Sequence, residues 1–268
     1  MSARENRTLT AVPGVAVGHA QDAEARTGCT VVLGPFRAAA EVRGLASGTR
    51  EVDTLSPLHI VDHVDAIVLT GGSAYGLAAA DGVARWLEEH GRGFATSAGR
   101  VAIVPAAVIF DLGVGRADRR PDAAMGRAAC EAASREPVAE GAVGAGAGAT
   151  VGKIRGPGHA SAGGVGTAAE TVDGSTIAAV AVVNAFGDVL DRAGGVRAGA
   201  RADDGTWLDS ARWIRERGGL EGFGAARPLE NTTLAVVATD RPFTRLALQV
   251  IARAAMNGII RQIAPATT

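Results

Sequence analysis

The sequence predicts an α+β fold, with helices packed outside sheets. Three observations support this. Strand-like segments follow one another in runs and do not alternate strictly with helices, which argues against a βαβ architecture. Residues 177–183, Ile-Ala-Ala-Val-Ala-Val-Val, are apolar throughout, as expected of a strand covered on both faces. Helical periodicity is confined to a few long stretches: one ending near His90, one over about 121–134, and one following Asp240. With 268 residues the chain can bury a sizeable core, and no internal repeat divides it, so residues 1–268 are expected to form a single domain.

Composition narrows the function classes. At 47% hydrophobic and 21% charged residues the chain reads as a soluble globular protein. A net charge of −1, without a basic cluster, argues against nucleic acid or an anionic membrane as partner. The first ten residues lack the apolar core of a signal peptide and no segment approaches a membrane span, so a cytoplasmic location is expected. Cys29 and Cys130 match no metal spacing and read as two buried free thiols in a reducing compartment. Of the 27 basic side chains only Lys153 is a lysine, which marks it as a place where an ammonium rather than a guanidinium is wanted.

Taken in order, residues 15–19 and 28–33 read as strand, turn, strand, and residues 38–42 as a third strand. A loop rich in Gly, Ser and charge follows over 43–51. His59 and His63 stand at i, i+4, as in zinc proteases, but Ile60 occupies the place of their glutamate. An exposed helical turn and no metal site are expected there. The strand 66–70 runs into Gly71-Gly72-Ser73-Ala74-Tyr75-Gly76 and a helix. Strand, glycine loop and helix can cradle phosphate, yet this spacing matches neither nucleotide-binding pattern, and Tyr75 breaks the nucleophile-elbow pattern. Close backbone approach is the expected role, with no cofactor, and Tyr75, the only tyrosine, is a pocket candidate.

Residues 101–112 look extended and are broken by Pro105. The alternating Gly and Ala of 141–149 suit a strand closely approached by other backbone, ending near Lys153. Strand character continues over 160–167 and 175–184, and Asn184 opens a turn. Residues 196–230 read as an exposed connector with a short helix near 210–217. After residues 234–238, another apolar strand, Asp240 can cap a helix from about Arg241 with Pro242 in its first turn. Phe243, Leu246, Val250, Ile251 and Ala254 would form its buried face.

Chemistry is expected at Glu230-Asn231-Thr232-Thr233, where a hydroxyl residue follows a turn-forming asparagine at the leading edge of a strand. Cleavage between Asn231 and Thr232 would leave a threonine carrying its own amine as base. The same stretch is also compatible with an ordinary strand that opens on two threonines.

Several phrases together decide between these. Val42-Arg43-Gly44 to Thr49-Arg50-Glu51, Gly71 to Leu77, Val104 to Asp111, Asn184 to Gly187, Asp191 to Gly194 and Asn231-Thr232-Thr233 resemble the DmpA-type family of self-cleaving hydrolases, the S58 peptidases. The resemblance runs from about Pro13 to Thr268. It implies a four-layer αββα sandwich similar to the N-terminal-nucleophile hydrolases, and a precursor that cuts itself into an α chain, 1–231, and a β chain, 232–268. It implies hydrolysis of small peptides or oligoamides, and the Asn-Thr junction looks most like the nylon-oligomer hydrolase branch. Matched residue by residue, Thr232 is the nucleophile, Asn231 gives up its carbonyl, Asn184 stabilises the oxyanion, and Lys153 matches a lysine near the nucleophile. Phe110 stands where some relatives carry a tyrosine, and is a second pocket candidate. A homo-oligomer, a tetramer of processed pairs, is also implied.

The family continues past the position of Thr268 with a short Asp-Gly-Asp segment and a final strand whose groups assist the nucleophile. Were the molecule to stop at Thr268, self-cleavage or turnover is expected to be weak or absent. Two other readings stay open at this point: acyl transfer, as in the similarly folded ornithine acetyltransferases, and an unprocessed, non-catalytic member of the fold.

Overall fold

Residues 27–33 are buried on both faces, and this makes their strand the middle of the molecule. In the computed structural model, which describes residues 6–44, 46–217 and 230–266, β1 (Ala16–Asp22) and β2 (Thr27–Arg37) form an antiparallel pair. Then come β3 (Thr49–Arg50) and β4 (His63–Thr70), helix α1 (Ala79–Glu89), the hairpin β5 (Phe94–Thr96) and β6 (Gly99–Val101), and β7 (Ala106–Val108). The first sheet has the order β1-β2-β4-β7-β3, with β4 and β7 parallel and every other pair antiparallel.

Helix α2 (Ala123–Glu131) precedes β8 (Thr150–Val151), β9 (Ser161–Ala162), β10 (Gly164–Val172) and β11 (Ser175–Asn184). The remaining elements are β12 (Asp188–Leu190), β13 (Val196–Ala198), α3 (Ser210–Glu216), β14 (Thr232–Thr239), α4 (Arg245–Gln262) and β15 (Ile263–Ala264). The second sheet is β10-β11-β14, antiparallel throughout, and a small third sheet is β13-β12-β15.

The period-two alternation of β2 and β4 sorts their side chains into two cores. Cys29, Val31, Ala66 and Val68 pack with Ala79, Val83 and Leu87 of α1 and Ala129 of α2. Val32 and Leu69 face the other way, onto Ala178, Val180 and Val182 of β11. Helices on a sheet that packs on a second sheet give the expected α+β sandwich. Helix α4 bridges instead of lying flat: its first turn packs on residues 38–61 and Ile259, near its end, on the third sheet.

Several element assignments differ from the sequence expectation. Residues 38–42 are not a strand, because Arg37 pairs with His63, the first residue of β4, and beyond it the strand has no partner. Residues 59–62 form no helical turn; they approach β4 in irregular chain, and among the described residues no cluster could hold a metal. Residues 144–146 form a single 3-10 turn, and only Thr150–Val151 of that stretch is strand. The reason is steric: a Cβ on Gly148 would lie 2.1 Å from the Arg26 carbonyl, so the chain is pressed on backbone and leaves no room for a ladder. Part of the expected connector, 218–229, lies outside the described residues.

Helix α4 starts later than expected. Thr244, not Asp240, caps it, its side chain accepting from the Ala247 N–H at 3.2 Å. Leu246, Val250 and Ala254 are exposed, while Leu248, Ile251, Ala255, Met256 and Ile259 are the partly covered positions. The register is set by Arg245, which is 8% exposed. Its guanidinium donates to the carbonyls of Ala38 (3.2 Å), His59 (3.1 Å), Val61 (2.8 Å) and Thr54. A buried guanidinium is tolerated only when its donors are satisfied, and here carbonyls serve where a carboxylate is more usual. Burial holds its pKa below the ordinary arginine value. Arg245→Ala strands these carbonyls, and a loss of about 3 kcal/mol in unfolding free energy is expected, measured as a lower urea midpoint at constant slope.

Candidate active site

Strand parity brings the proposed nucleophile to the asparagine. Ala178, Val180 and Val182 of β11 face the inter-sheet core, so Asn184 continues the same face and is fully buried. On β14, Leu234, Val236 and Ala238 pack on that core, which puts Thr232 on the inward face and Thr233 on the other. The antiparallel register pairs Val182 with Leu234 and Asn184 with Thr232. Two residues from distant parts of the chain therefore sit side by side at the sheet's end.

Lys153 reaches the same point by backbone pairing. The N–H groups of Gly152 and Lys153 donate to the Gly187 and Phe186 carbonyls at 2.9 and 2.8 Å, just past Asn184. Glycine is required at 152: its φ is +70°, and a Cβ would come within 1.9 Å of the Ala200 nitrogen. The Lys153 ammonium donates to Asn184 Oδ1 at 2.8 Å, to the Asn184 carbonyl at 3.2 Å and to the Glu230 carbonyl at 3.5 Å. Burial drives its pKa down to about 7, against the raising influence of the Glu230 and Asp111 charges.

The orientation of the Asn184 amide follows from its partners. Oδ1 also accepts from the Thr150 N–H at 3.0 Å, and Nδ2 donates to the Phe110 carbonyl at 2.9 Å and to the Glu230 carbonyl at 3.5 Å. Lys153 and Thr150 are donors and Phe110 and Glu230 carbonyls are acceptors, so the amide has one consistent orientation. Nδ2 and the lysine ammonium thus converge on the Glu230 carbonyl, one peptide before the Asn231 carbonyl on which negative charge would develop if Thr232 attacked it.

Thr232 and Asn231 open on a cavity of about 930 Å³ between β14, the first sheet and α4. Phe36, Ile67, Leu69, Val108, Phe186 and Val236 make its apolar lining. The carboxylates among its described lining residues are Glu41 and Asp240. Glu41 is engaged by Arg43 and Arg253, at 3.0 and 3.3 Å, and Asp240 accepts from the Thr176 N–H at 3.1 Å.

The structure gathers Thr232, Asn231, Asn184 and Lys153 at one place. Tyr75 does not join them: it is 61% exposed, lies under the Arg120 guanidinium at 3.9 Å and is not among the residues lining the cavity. Phe110, the second pocket candidate, is likewise not among the residues lining the cavity, and it touches the site only through its backbone carbonyl on Asn184. The Thr150 N–H, the Glu230 carbonyl and Asp111 complete the surroundings and are not evident in the sequence. For Asp111 a signal existed, a carboxylate placed directly after the apolar run ending at Phe110. Backbone groups such as that of Thr150 leave no trace in residue identities.

Comparison with known proteins places this geometry in context. A model of peptidase family S58 matches residues 7–268. An uncharacterized aminopeptidase of Mycobacterium leprae is 44% identical over 287 residues, spanning 97% of this chain and 75% of that protein. A 6-aminohexanoate-oligomer endohydrolase of Paenarthrobacter ureafaciens is 33% identical over 265 residues, spanning 94% and 69% respectively. Among solved structures, the L-aminopeptidase D-Ala-esterase/amidase of Ochrobactrum anthropi, described as a variant of the Ntn-hydrolase fold, superposes with a TM-score of 0.71 at 21% identity. That match covers 97% of this chain and 70% of the other.

Proposed function

Because the chain belongs to peptidase family S58 and is a peptide or amide hydrolase, we propose that Thr232 is its nucleophile and that the precursor cuts itself between Asn231 and Thr232. One observation carries this reading: the register that sets Thr232 against the buried Asn184, with the Lys153 ammonium 2.8 Å from the Asn184 amide oxygen.

In the precursor the Thr232 nitrogen is an amide and cannot take a proton. Lys153, which bonds Asn184 beside Thr232 and whose pKa burial lowers to about 7, takes the role of base in this reading. The Thr232 hydroxyl attacks the Asn231 carbonyl and gives up its proton, the C–N bond breaks, and the chain is left as an ester with a free Thr232 amine. Water then cleaves the ester, releasing Asn231 as a carboxylate and regenerating the hydroxyl. In turnover the freed amine joins Lys153 as a coupled base, an acyl-enzyme forms on Thr232, and water resolves it. Asn184 Nδ2 supplies the donor for the oxyanion. Asn184→Ala is expected to slow turnover by about 10²–10³-fold, seen in kcat more than in KM.

The substrates of this reading are small peptides or oligoamides. The cavity wall is mainly apolar, and both of its carboxylates are already engaged, which favours recognition of aliphatic and amide parts over capture of a free ammonium. The 6-aminohexanoate-oligomer relatives act on compounds of that kind. A homo-oligomer of processed chains belongs to the same reading, supported by Leu246 and Val250 on the outward face of α4, 68% and 60% exposed. A reducing, cytoplasmic setting is supported by the two buried free thiols. Among the described residues no helix is long and apolar enough to cross a membrane.

Intact mass and N-terminal sequencing of the purified protein test the proposal. Two fragments, one beginning at Thr232, are expected. A chain that stays whole and does not hydrolyse amides would sink it.

A further inference from the structure

Asp111 is a buried carboxylate that the mechanism above does not use. It is 2% exposed, and no cation touches it among the described contacts. Its Oδ2 accepts from the Thr27 hydroxyl at 2.7 Å and its Oδ1 from the Gly72 N–H at 2.7 Å. Of the three chain segments that close around it, one meets it through the Thr27 hydroxyl and two at glycines. A Cβ on Gly71 would lie 2.1 Å from Oδ2, and one on Gly148 would lie 2.9 Å from the Asp111 Cβ. The start of β2, the glycine loop and the turn before β8 are therefore all pressed onto one carboxylate.

Those same segments hold the Asn184 amide. The Phe110 carbonyl, one residue before Asp111, accepts from Nδ2, and the Thr150 N–H, two residues after Gly148, donates to Oδ1. A carboxylate that pins residues 110–111 against 148 thereby fixes both backbone groups that orient the amide. It also places a negative charge in the same buried corner as the Lys153 ammonium, whose direct partners are all carbonyl or amide oxygens.

Resting on the function proposed above, we infer that Asp111 is a positioning residue for the site, clamping the backbone that orients Asn184 and acting as the counter-charge for Lys153. Burial raises the Asp111 carboxyl above its ordinary value, against the lowering influence of the Gly72 N–H, the Thr27 hydroxyl and, last, the Lys153 charge; burial lowers the lysine, against the raising influence of Glu230 and Asp111. Among the described residues the other charged group acting on Lys153 is Glu230, on the chain entering β14; the proposed cleavage would add the Thr232 amine.

The single lysine makes the test direct. In uncut Thr232→Ala protein, isotope-labelled lysine gives one side-chain signal, whose titration is followed by NMR with Asp111 present and in Asp111→Asn. Loss of the carboxylate charge is expected to move the Lys153 midpoint down by roughly one pH unit or more. With Thr232 restored, Asp111→Asn is expected to process and turn over about 10-fold more slowly, with KM little changed and circular dichroism unaltered. Thr27→Val, which removes one clamping bond and keeps the charge, should slow processing while leaving the lysine midpoint in place. An unchanged lysine midpoint in Asp111→Asn overturns the inference, whatever happens to activity. If Asp111→Asn does not fold, a Thr27→Val protein that processes at the wild-type rate overturns it. An uncut wild-type protein defeats the self-cleavage reading instead, and the lysine titration still decides the role of Asp111.

Discussion

Thr232→Ala is expected to leave the chain in one piece and to abolish amide hydrolysis. Removing a nucleophile costs on the order of 10⁶-fold in kcat in well-studied hydrolases, which places residual turnover below detection. The specificity of this result is what matters. Thr233 is chemically identical to its neighbour, but β14 turns its side chain to the opposite face. Thr233 lines the same cavity but lies off the strand face that carries Thr232, so Thr233→Ala should process fully, with any change falling on KM more than on kcat. Thr232→Ser keeps a hydroxyl on the inward face and should still yield two bands, more slowly or faster according to how its unbranched side chain settles. SDS gels and intact masses of the three variants, prepared in parallel, read this directly. Processing of Thr232→Ala, or its loss in Thr233→Ala alone, would reassign the nucleophile.

Lys153→Met is expected to have the second largest effect, and its sign on stability is opposite to its sign on activity. Burial pushes the Lys153 pKa from 10.5 to about 7. Between those two values the unfolded chain binds more protons at this residue than the folded one, so this group's contribution to stability rises as pH rises from about 7 toward 10.5. At pH 7 and below, the fold carries a partly desolvated ammonium, and methionine of similar length removes that burden. The variant should melt at an equal or higher temperature than the wild type at pH 6–7. Processing, in contrast, should be lost or slowed by about 10²–10⁴-fold, as for removal of a general base. In the wild type the processing rate should climb with pH through about 7 and then level off, because only the neutral amine accepts a proton. A rate that is flat or falling across pH 6–8 would remove Lys153 from the role of base.

The members of this site, Thr232, Asn231, Asn184 and Lys153, are legible in the sequence through the resemblance of its motifs to the family and not through periodicity. Residues 177–183 and 234–238 are apolar at every position and do not show which face turns inward. What cannot be read in this way is the distance between them, which depends on a pairing register across some fifty residues of intervening chain. The Gly-Ala stretch ahead of Lys153 misleads because neither residue type has a side chain whose alternation could separate strand from turn. Helix α4 misleads for the reverse reason. Its sequence is apolar on several sides, and the buried side is chosen by Arg245, a polar contact to four carbonyls that no hydrophobic pattern reports.

If the chain is cut as proposed, the Arg245 contacts acquire a different meaning. Up to that moment residues 38–61 and α4 are parts of one polymer, and their association is unimolecular. After the proposed cut, the piece beginning at Thr232 would be held by the β11–β14 ladder, the β12–β15 pairing and the guanidinium on its four carbonyls. Its retention is then a dissociation equilibrium, and the apparent midpoint of unfolding should rise with protein concentration for the processed form but not for Thr232→Ala. Refolding of the processed form becomes a bimolecular encounter, slow at the dilutions where the precursor folds readily. Cleavage in this molecule would therefore mature a site and also convert folding into an event that cannot readily be repeated.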